Sequence, residues 1–264
     1  MAHTLNDIET PAFVINEARV LHNISKFQAH CDAAGLKLRP HIKTHKSVRF
    51  AKVQVKAGAV GINCQKIGEA EVMADGGLDD ILITFIILGA SKLRRLRTLA
   101  KRVTLRVVAD NAVVVDGLSG AFADAVEPLR VLVECDTGAA RCGVQSPEEA
   151  AALAEAIAKS PGLVFNGFLT YPPVGGQTGV FDFMTKAKSL LEDRGISCPV
   201  VSSGGSPDMW QAACGGVITE YRIGTYIYND RSLVERGTCT WDDCAGHVLA
   251  TVVSRPADLS LIHI

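Results

Sequence analysis

The sequence of 264 residues predicts a (β/α)8 barrel, followed by the beginning of a second, β-rich domain. Two observations predict the barrel. Eight short apolar runs have the length and composition of strands, and a helical pattern lies between each neighbouring pair. The second domain is predicted by a third observation, a change of pattern after about residue 235, where the strand-like run GHVLATVVSRP comes without a helix before it. A doubly wound open sheet is the alternative arrangement of the same elements.

The individual elements follow from local patterns. PAFVI, residues 11–15, reads as a strand, and the pattern after it predicts a helix with one apolar face. The clearest later helix begins SPEEAAALAEAIAKSPG, where Ser146 is the predicted N-cap, Pro147 takes the first helical position and Glu149 completes a capping box. The eight barrel strands are predicted at Lys37–Ile42, Ala59–Cys64, Asp80–Phe85, Val103–Val108, Leu129–Cys135, Val164–Thr170, Pro199–Ser203 and Val217–Arg222.

Composition excludes several classes of protein. The formal net charge of −1 provides no general basic field for nucleic acid. The chain start shows no signal peptide, and the most apolar run, residues 81–90, is too short to cross a bilayer as a helix. Eight cysteines without a C-x-x-C pair fit a reducing compartment. We therefore expect a cytoplasmic protein that binds neither nucleic acid nor membrane.

The stretch LRPHIKTHKS, residues 38–47, concentrates two lysines, two histidines and an arginine. Strand alternation would point Arg39, His41 and Lys43 the same way at the C-terminal end of the first barrel strand, where barrel active sites form. A lysine among cations and partly desolvated has a lowered pKa and is a competent nucleophile, suited to a Schiff base. Solvated loop lysines and a metal site at the two histidines are the alternatives, although a lysine between metal ligands opposes the latter.

Two glycine-containing segments predict an anion site at the same end of the barrel. In SSGGSPD, Gly204 and Gly205 permit close backbone approach, and Ser206 with Pro207 is expected to open the next helix. In YRIGTY, Gly224 and Thr225 are available to the same anion. Phosphate sites of such barrels are built by the loops after the seventh and eighth strands. The Asp208 carboxylate would repel a phosphate unless it points away.

A third segment, VECDTGAARCGV, ends the fifth strand and contains Arg141. An arginine there could hydrogen-bond an acceptor on a cofactor ring, or it could be tied structurally to Asp136. A reactive lysine, a phosphate cradle and a ring-edge arginine together describe a site for pyridoxal 5'-phosphate (PLP).

Several motifs carry a resemblance to a known family: LRPHIKTHK, KIGEAEVMADGGLDDILI, ECDTGAARCGV, SSGGSPD and EYRIGTYIYND. The chain resembles the D-threonine aldolase / D-serine dehydratase-like family of PLP enzymes, which have the alanine racemase type of barrel (fold type III). The similarity runs from about Thr10 to Pro256. It implies a PLP-binding barrel over residues 10–235 and the truncated beginning of a C-terminal β-domain over residues 236–258.

The resemblance also implies the roles of individual residues. Lys43 is expected to bond covalently to PLP, with His41 as its catalytic neighbour. The loop after the sixth strand keeps Tyr171 but continues with Pro172 and Pro173 where several relatives have a glycine-histidine pair, which leaves substrate contacts from this loop open. The cofactor-binding set implied is Lys43, Arg141, Tyr171, Ser203, Gly204, Gly205, Ser206, Gly224, Thr225 and Tyr226.

The implied activity is that of a lyase acting on a small D-configured β-hydroxy-α-amino acid. Aldolase chemistry would give glycine and an aldehyde, whereas a dehydratase acting on D-serine or 3-hydroxyaspartate would release ammonia. Family members use a divalent metal (Mn, Mg or Zn), whose ligands are expected only in the full-length protein and not in this chain. A homodimer is expected when the protein is complete. A non-catalytic PLP carrier and a racemase are the remaining alternatives.

The last six residues, LSLIHI (residues 259–264), match the translation of a transposon-end adapter used in sequencing libraries. We therefore predict that the gene is cut off, that residues 259–264 are adapter sequence, and that His263 is no metal ligand. A truncated chain would expose the surface that the β-domain covers, so poor solubility is expected and the chain could be inactive.

Overall fold

The computed structural model describes residues 4–212 and 216–255, together with the backbone of residues 261–263. Eight parallel strands form one sheet in the order β2-β9-β8-β7-β6-β5-β4-β3. Helices separate most of the successive strands, so the predicted (β/α)8 barrel is confirmed. The strands are β2 Lys37–Leu38, β3 Ile62–Cys64, β4 Asp80–Ile83, β5 Thr104–Ala109, β6 Leu129–Cys135, β7 Leu163–Thr170, β8 Val200–Gly204 and β9 Glu220–Arg222.

Seven α-helices connect or precede these strands, and an eighth follows them. Helix α6 begins where the sequence predicts, because the Ser146 hydroxyl accepts from the Glu149 amide at 3.2 Å. The Glu149 carboxylate accepts from the Gln145 amide instead of closing the capping box on Ser146. The helices are α1 Glu17–Ala33, α2 Val48–Ala57, α3 Ile67–Asp75, α4 Ala90–Ala100, α5 Ala112–Phe122, α6 Pro147–Lys159, α7 Gln177–Glu192 and α8 Arg231–Glu235.

Backbone hydrogen bonds between the β2 segment and β3 close the barrel. Val60 donates to the Leu38 carbonyl at 2.9 Å, and Asn63 donates to the Pro40 carbonyl at 2.8 Å. Ile42 then donates to the Asn63 carbonyl at 2.9 Å. The extended pairing therefore continues to Ile42, as the sequence predicts, although Pro40 has no N–H to contribute to the ladder.

The barrel interior is layered. Leu82, Val108, Leu132 and Leu169 form a buried apolar layer. Beneath it, at the N-terminal ends of the strands, the guanidinium of Arg39 binds the carboxylates of Asp80 at 2.5 Å and Glu220 at 2.8 Å. The expectation that Arg39 lies with His41 and Lys43 at the opposite end is therefore wrong. Asp80 and Glu220 are the first residues of β4 and β9, and they hold the arginine at the floor of the barrel.

The connection between β8 and β9 differs from the prediction. Over residues 206–212 the structure describes a short 3-10 helix, Met209–Gln211, and not the α-helix expected to begin at Ser206. Residues 213–215, including Cys214, lie outside the described part of the chain.

The first strand belongs to the second structural unit. Strand β1, Ala12–Ile15, pairs antiparallel with β10, Gly246–Leu249. The strand-like run GHVLATVVSRP thus has a partner, and the partner lies inside the range 10–235 that the resemblance assigns to the barrel. Strand β11, Thr251–Ser254, pairs with the backbone of β12, Leu261–His263. The adapter origin of residues 259–264 stays a prediction.

Large apolar side chains are exposed on this unit. Phe13 is 60% exposed and Val248 is 66% exposed. The two valines of β11, Val252 and Val253, are 60% and 64% exposed. An exposed apolar surface of this kind favours contact with another apolar surface. Among the described residues, no helix combines the length and apolarity needed to cross a bilayer.

Candidate active site

A cavity opens at the C-terminal ends of the barrel strands, and both Lys43 and His41 line it. Lys46 does not line the cavity, and its ammonium group binds the Glu69 carboxylate. The Glu69 carboxylate also accepts from the Gln65 amide at 2.8 Å, which fixes it in place. Among the described residues the Lys43 ammonium group makes no ion pair. Of the two lysines in the motif, Lys43 is therefore the one available for chemistry.

The surroundings lower the pKa of Lys43. Burial is the largest cause, and the positive charges of Arg141 and Arg222 add to it, while Glu69 opposes them. A lower pKa increases the fraction of unprotonated, nucleophilic amine at neutral pH. The lysine is thus prepared for attack on an aldehyde.

His41 is buried beside Lys43 and stays neutral. Burial and the charge of Lys43 lower the pKa of His41 to about 3. Its Nδ1 accepts from the Lys43 amide at 3.2 Å, and its Nε2 lies 3.3 Å from Oε1 of Gln65. A neutral imidazole with both nitrogens engaged fixes the backbone that carries the lysine.

Two backbone segments face the cavity from strands β8 and β9, and their residues Gly205, Ser206, Gly224 and Thr225 line it. At Gly224 a Cβ atom would lie 3.0 Å from the Thr44 hydroxyl and 3.1 Å from the His41 carbonyl, so the position favours glycine. A 3-10 helix, Thr225–Ile227, begins immediately after it, and the first amides of such a turn point outward without helical partners. These amides are available to an anion.

Asp208 points away from this cradle. Its carboxylate accepts from the Gly175 amide at 2.7 Å and so ties down the loop that follows Tyr171. The electrostatic repulsion that the sequence predicts between Asp208 and a bound phosphate is thereby reduced.

Arg141 and Tyr171 form one wall of the cavity. The guanidinium of Arg141 stacks over the Tyr171 ring and makes no ion pair with Asp136. Asp136 instead accepts from the Gly138 and Ala140 amides at 2.9 and 3.1 Å, which shapes the loop that carries the arginine. Of the two alternatives left by the sequence, the structure favours an arginine directed to the cavity.

A second arginine, Arg222, lines the cavity and had no role in the sequence argument. It is 7% exposed, its Nε donates to the Ser202 hydroxyl at 2.9 Å, and it also donates to the Thr170 carbonyl. The Ser202 hydroxyl in turn donates to Glu220 at 2.8 Å. Arg222 is thus held from below by the buried ionic layer of the barrel.

A buried carboxyl, Glu134, also lines the cavity and was missed. It is 5% exposed and lies near the end of β6, where its oxygen Oε1 accepts from the Cys142 thiol at 3.0 Å. Burial raises the pKa of Glu134, and the hydrogen bond from Cys142 partly offsets that effect. A glutamate inside an otherwise apolar strand run was the signal that could have identified it.

Three residues of the predicted cofactor set do not line the cavity. Strand alternation turns Ser202 into the barrel, so Ser203 points to the opposite face. Gly204 packs on β9, where a Cβ atom would lie 2.0 Å from the Arg222 carbonyl. The Tyr226 side chain is 1% exposed in the core, and its hydroxyl accepts from Gln54 at 2.8 Å. Only its backbone remains for a phosphate contact.

The residues that do line the cavity suit a phosphorylated aldehyde. The phosphate requires backbone amides and positive charge, which the Gly224–Thr225 segment and two arginines provide. The aldehyde requires an unpaired amine, which Lys43 provides. In the described residues, no group of three histidine, cysteine or acidic side chains is placed to hold a metal ion.

Comparison with known proteins places the chain among a defined group. A family model described as the alanine racemase N-terminal domain matches residues 15–232. D-Threonine aldolase of an Arthrobacter species is 33% identical, with 95% of this chain and 69% of the relative covered. For 3-hydroxy-D-aspartate aldolase of Paracoccus denitrificans the identity is 32%, over 85% of this chain and 62% of the relative. D-threo-3-Hydroxyaspartate dehydratase of a Delftia species is 31% identical over 98% and 71%.

Solved structures agree with the sequence relatives. The crystal structure of D-threonine aldolase from Filomicrobium marinum superposes with a TM-score of 0.89 at 30% identity, covering 95% of this chain and 72% of that chain. The chain spans 62% to 71% of the length of the three sequence relatives. Each of those relatives is named for aldol cleavage or for dehydration.

Proposed function

Because the chain belongs to the alanine racemase N-terminal domain family, among relatives that are lyases, we propose that it is the PLP-binding barrel of a D-threonine aldolase-like enzyme. The substrate would be a D-configured β-hydroxy-α-amino acid, cleaved to glycine and an aldehyde. One observation carries the proposal: Lys43 lines the cavity and makes no ion pair with any described residue, while Lys46 is bound to Glu69.

Each side chain of the cavity would have a defined task. Lys43 would bind the cofactor covalently, and in the dehydratase alternative its released amine would take the α-proton of the substrate. The Gly224 and Thr225 amides would bind the phosphate, and Arg141 would contact the ring edge. When bound, PLP supplies an electron sink for the bond that breaks at Cα. His41, being neutral, would orient the lysine without adding a charge.

The covalent attachment can be tested directly. Purified protein would be incubated with PLP, reduced with borohydride and digested, and the modified peptide would be identified by mass spectrometry. We expect the label on Lys43 in the wild type and in Lys46→Arg, and its loss in Lys43→Arg. Labelling of Lys46 in the wild type, or equal labelling of Lys43→Arg, would contradict the proposal.

The reaction type is tested by product analysis. D-Threonine cleavage would give glycine and acetaldehyde, whereas dehydration of 3-hydroxyaspartate, as the name of the Delftia relative describes, would release ammonia. Both assays belong on the gene extended past the codon for Asp258, with Mn, Mg or Zn added, because the metal ligands are proposed to lie there. A homodimer is proposed for the same extended protein.

A further inference from the structure

We propose that Glu134 takes up a proton when an anionic ligand binds in the cavity, and that it holds this proton while the cofactor is present. The inference rests on the proposed function, since PLP is the anion in question. It begins from geometry: Glu134 lies on β6, faces the same cavity as Lys43 and is 5% exposed.

The carboxyl has one free oxygen. Cys142 donates to Oε1 at 3.0 Å, whereas Oε2 has no hydrogen-bond partner among the described residues. A buried carboxyl with an open oxygen can donate to an anionic ligand atom when it is protonated, and it repels the same atom when it is ionised. The protonation state of Glu134 therefore decides whether it helps or opposes binding.

Within the part of the chain that the structure describes, no ion pair holds this carboxyl in its ionised form. The guanidinium of Arg222 is engaged by Ser202 and Thr170, and that of Arg141 lies over Tyr171. The charged or titratable groups that face Glu134 come from β9, from the end of β5 and from the loop after β6: Arg222, Asp110, Arg141 and Cys142. Burial and Asp110 favour the neutral form, and the other three oppose it, with a net rise in the pKa of Glu134.

The two arginines, His41 and Lys43, which also line the cavity, cannot serve this purpose near neutral pH. The arginines keep their protons, His41 has released its own, and Lys43 is used in the bond to the cofactor. A dianionic phosphate and an anionic ring oxygen raise the pKa of a neighbouring carboxyl further. Cofactor binding should therefore take up a proton at Glu134, and affinity should fall as pH rises.

The test compares PLP binding to the wild type and to Glu134→Gln, which keeps the shape and removes the titration. Affinity would be measured by absorbance across pH, and proton uptake by calorimetry in buffers of different ionisation enthalpy. Above the pKa of free Glu134, we expect the wild type to lose up to about tenfold more affinity per pH unit than Glu134→Gln, because one proton is linked to binding. Proton uptake should be lower in Glu134→Gln by up to one proton.

A second pair of variants, at Cys142, tests the inference even if Glu134→Gln does not fold. Cys142→Ala removes the hydrogen bond to the carboxylate, which raises the pKa of Glu134 and should move the loss of affinity to higher pH. Cys142→Ser retains a donor and should behave like the wild type. Equal slopes and proton counts in wild type and Glu134→Gln, with the cofactor on Lys43 in both, would overturn this inference alone. Absence of any Lys43 linkage in the wild type would overturn the proposed function together with it.

Discussion

The guanidinium carbon of Arg141 lies over the ring of Tyr171, 4.7 Å from the ring centroid. Arg141 lies in the loop after β6, and Tyr171 directly follows β7. The tyrosine therefore fixes an arginine that would otherwise be free to leave the cavity wall. Tyr171 is 38% exposed, so the stacking takes place at the mouth and not in the core.

Replacing Tyr171 should weaken cofactor binding without preventing it. A cation–π contact at an exposed site contributes about 0.5–1 kcal/mol, equivalent to roughly twofold to fivefold in affinity. We expect this loss of PLP affinity in Tyr171→Leu, measured by absorbance titration. Tyr171→Phe keeps the ring and is the matched control. A full loss in Tyr171→Phe would show that the hydroxyl, and not the stacking, is responsible.

The pH dependence of the reaction between the Lys43 amine and PLP should reveal the effect of the Arg222 charge. Only the unprotonated amine of Lys43 attacks an aldehyde, so the capture rate rises with pH until it passes the pKa of the amine. Arg222 lowers the pKa of Lys43, and its removal in Arg222→Gln should raise that pKa and move the rise to higher pH. Arg222→Lys keeps the charge and should shift the profile less. The rate of borohydride-trapped labelling measures the effect, and an unchanged midpoint in Arg222→Gln would contradict it.

The ionic layer at the barrel floor should be important for stability. Arg39 is 3% exposed and joins Asp80 to Glu220. Its removal leaves the buried Glu220 carboxylate without its ion-pair partner, whereas Asp80 keeps its contact with Arg106. We expect Arg39→Ala to lower the free energy of unfolding by about 3–5 kcal/mol. Arg102→Ala breaks the exposed pair with Asp75 and should cost about 0–1 kcal/mol. Urea unfolding of both variants makes the comparison, and equal costs would show that the buried layer contributes nothing special.

The exposed valines of the second unit should promote self-association. Val248 and Val253 are 66% and 64% exposed on β10 and β11, which follow one another along the chain, and exposed apolar surface favours contact between molecules. The double variant Val248→Thr, Val253→Thr should reduce aggregation, measured by light scattering over a concentration series. Val126→Thr is the control, because Val126 is 96% exposed but lies in a separate loop. Equal improvement in the control would point to a general effect of polarity.

The eight strands could be predicted because each is a short apolar run between helical patterns. That signal is local, so it can be recognised without knowing which strands pair with one another. The position of Arg39 could not be predicted in the same way. Its side chain binds Asp80 and Glu220, which are distant in sequence. The prediction instead assumed that side chains alternate regularly between Arg39 and Lys43, across Pro40.

The candidate site was predicted in part for the same reason. Lys43, Arg141 and the Gly224 segment stand at strand ends in conspicuous polar motifs. Glu134 and Arg222 are single charged residues within strands, and only the closed barrel shows that they face the same cavity as the lysine. Ser203 is in the predicted set but does not line the cavity, because a run of two serines does not reveal which of them faces inward.

The pairing of β1 with β10 has a consequence for the order of synthesis. A ribosome makes β1 first, and it makes β10 only after all eight barrel strands have emerged. During that interval Phe13 and its neighbours have no strand to pair with, and they are open to chaperones or to other nascent chains. Synthesis of all eight barrel strands therefore precedes the pairing of β1 with β10, so the oldest part of the chain is among the last to reach its native place.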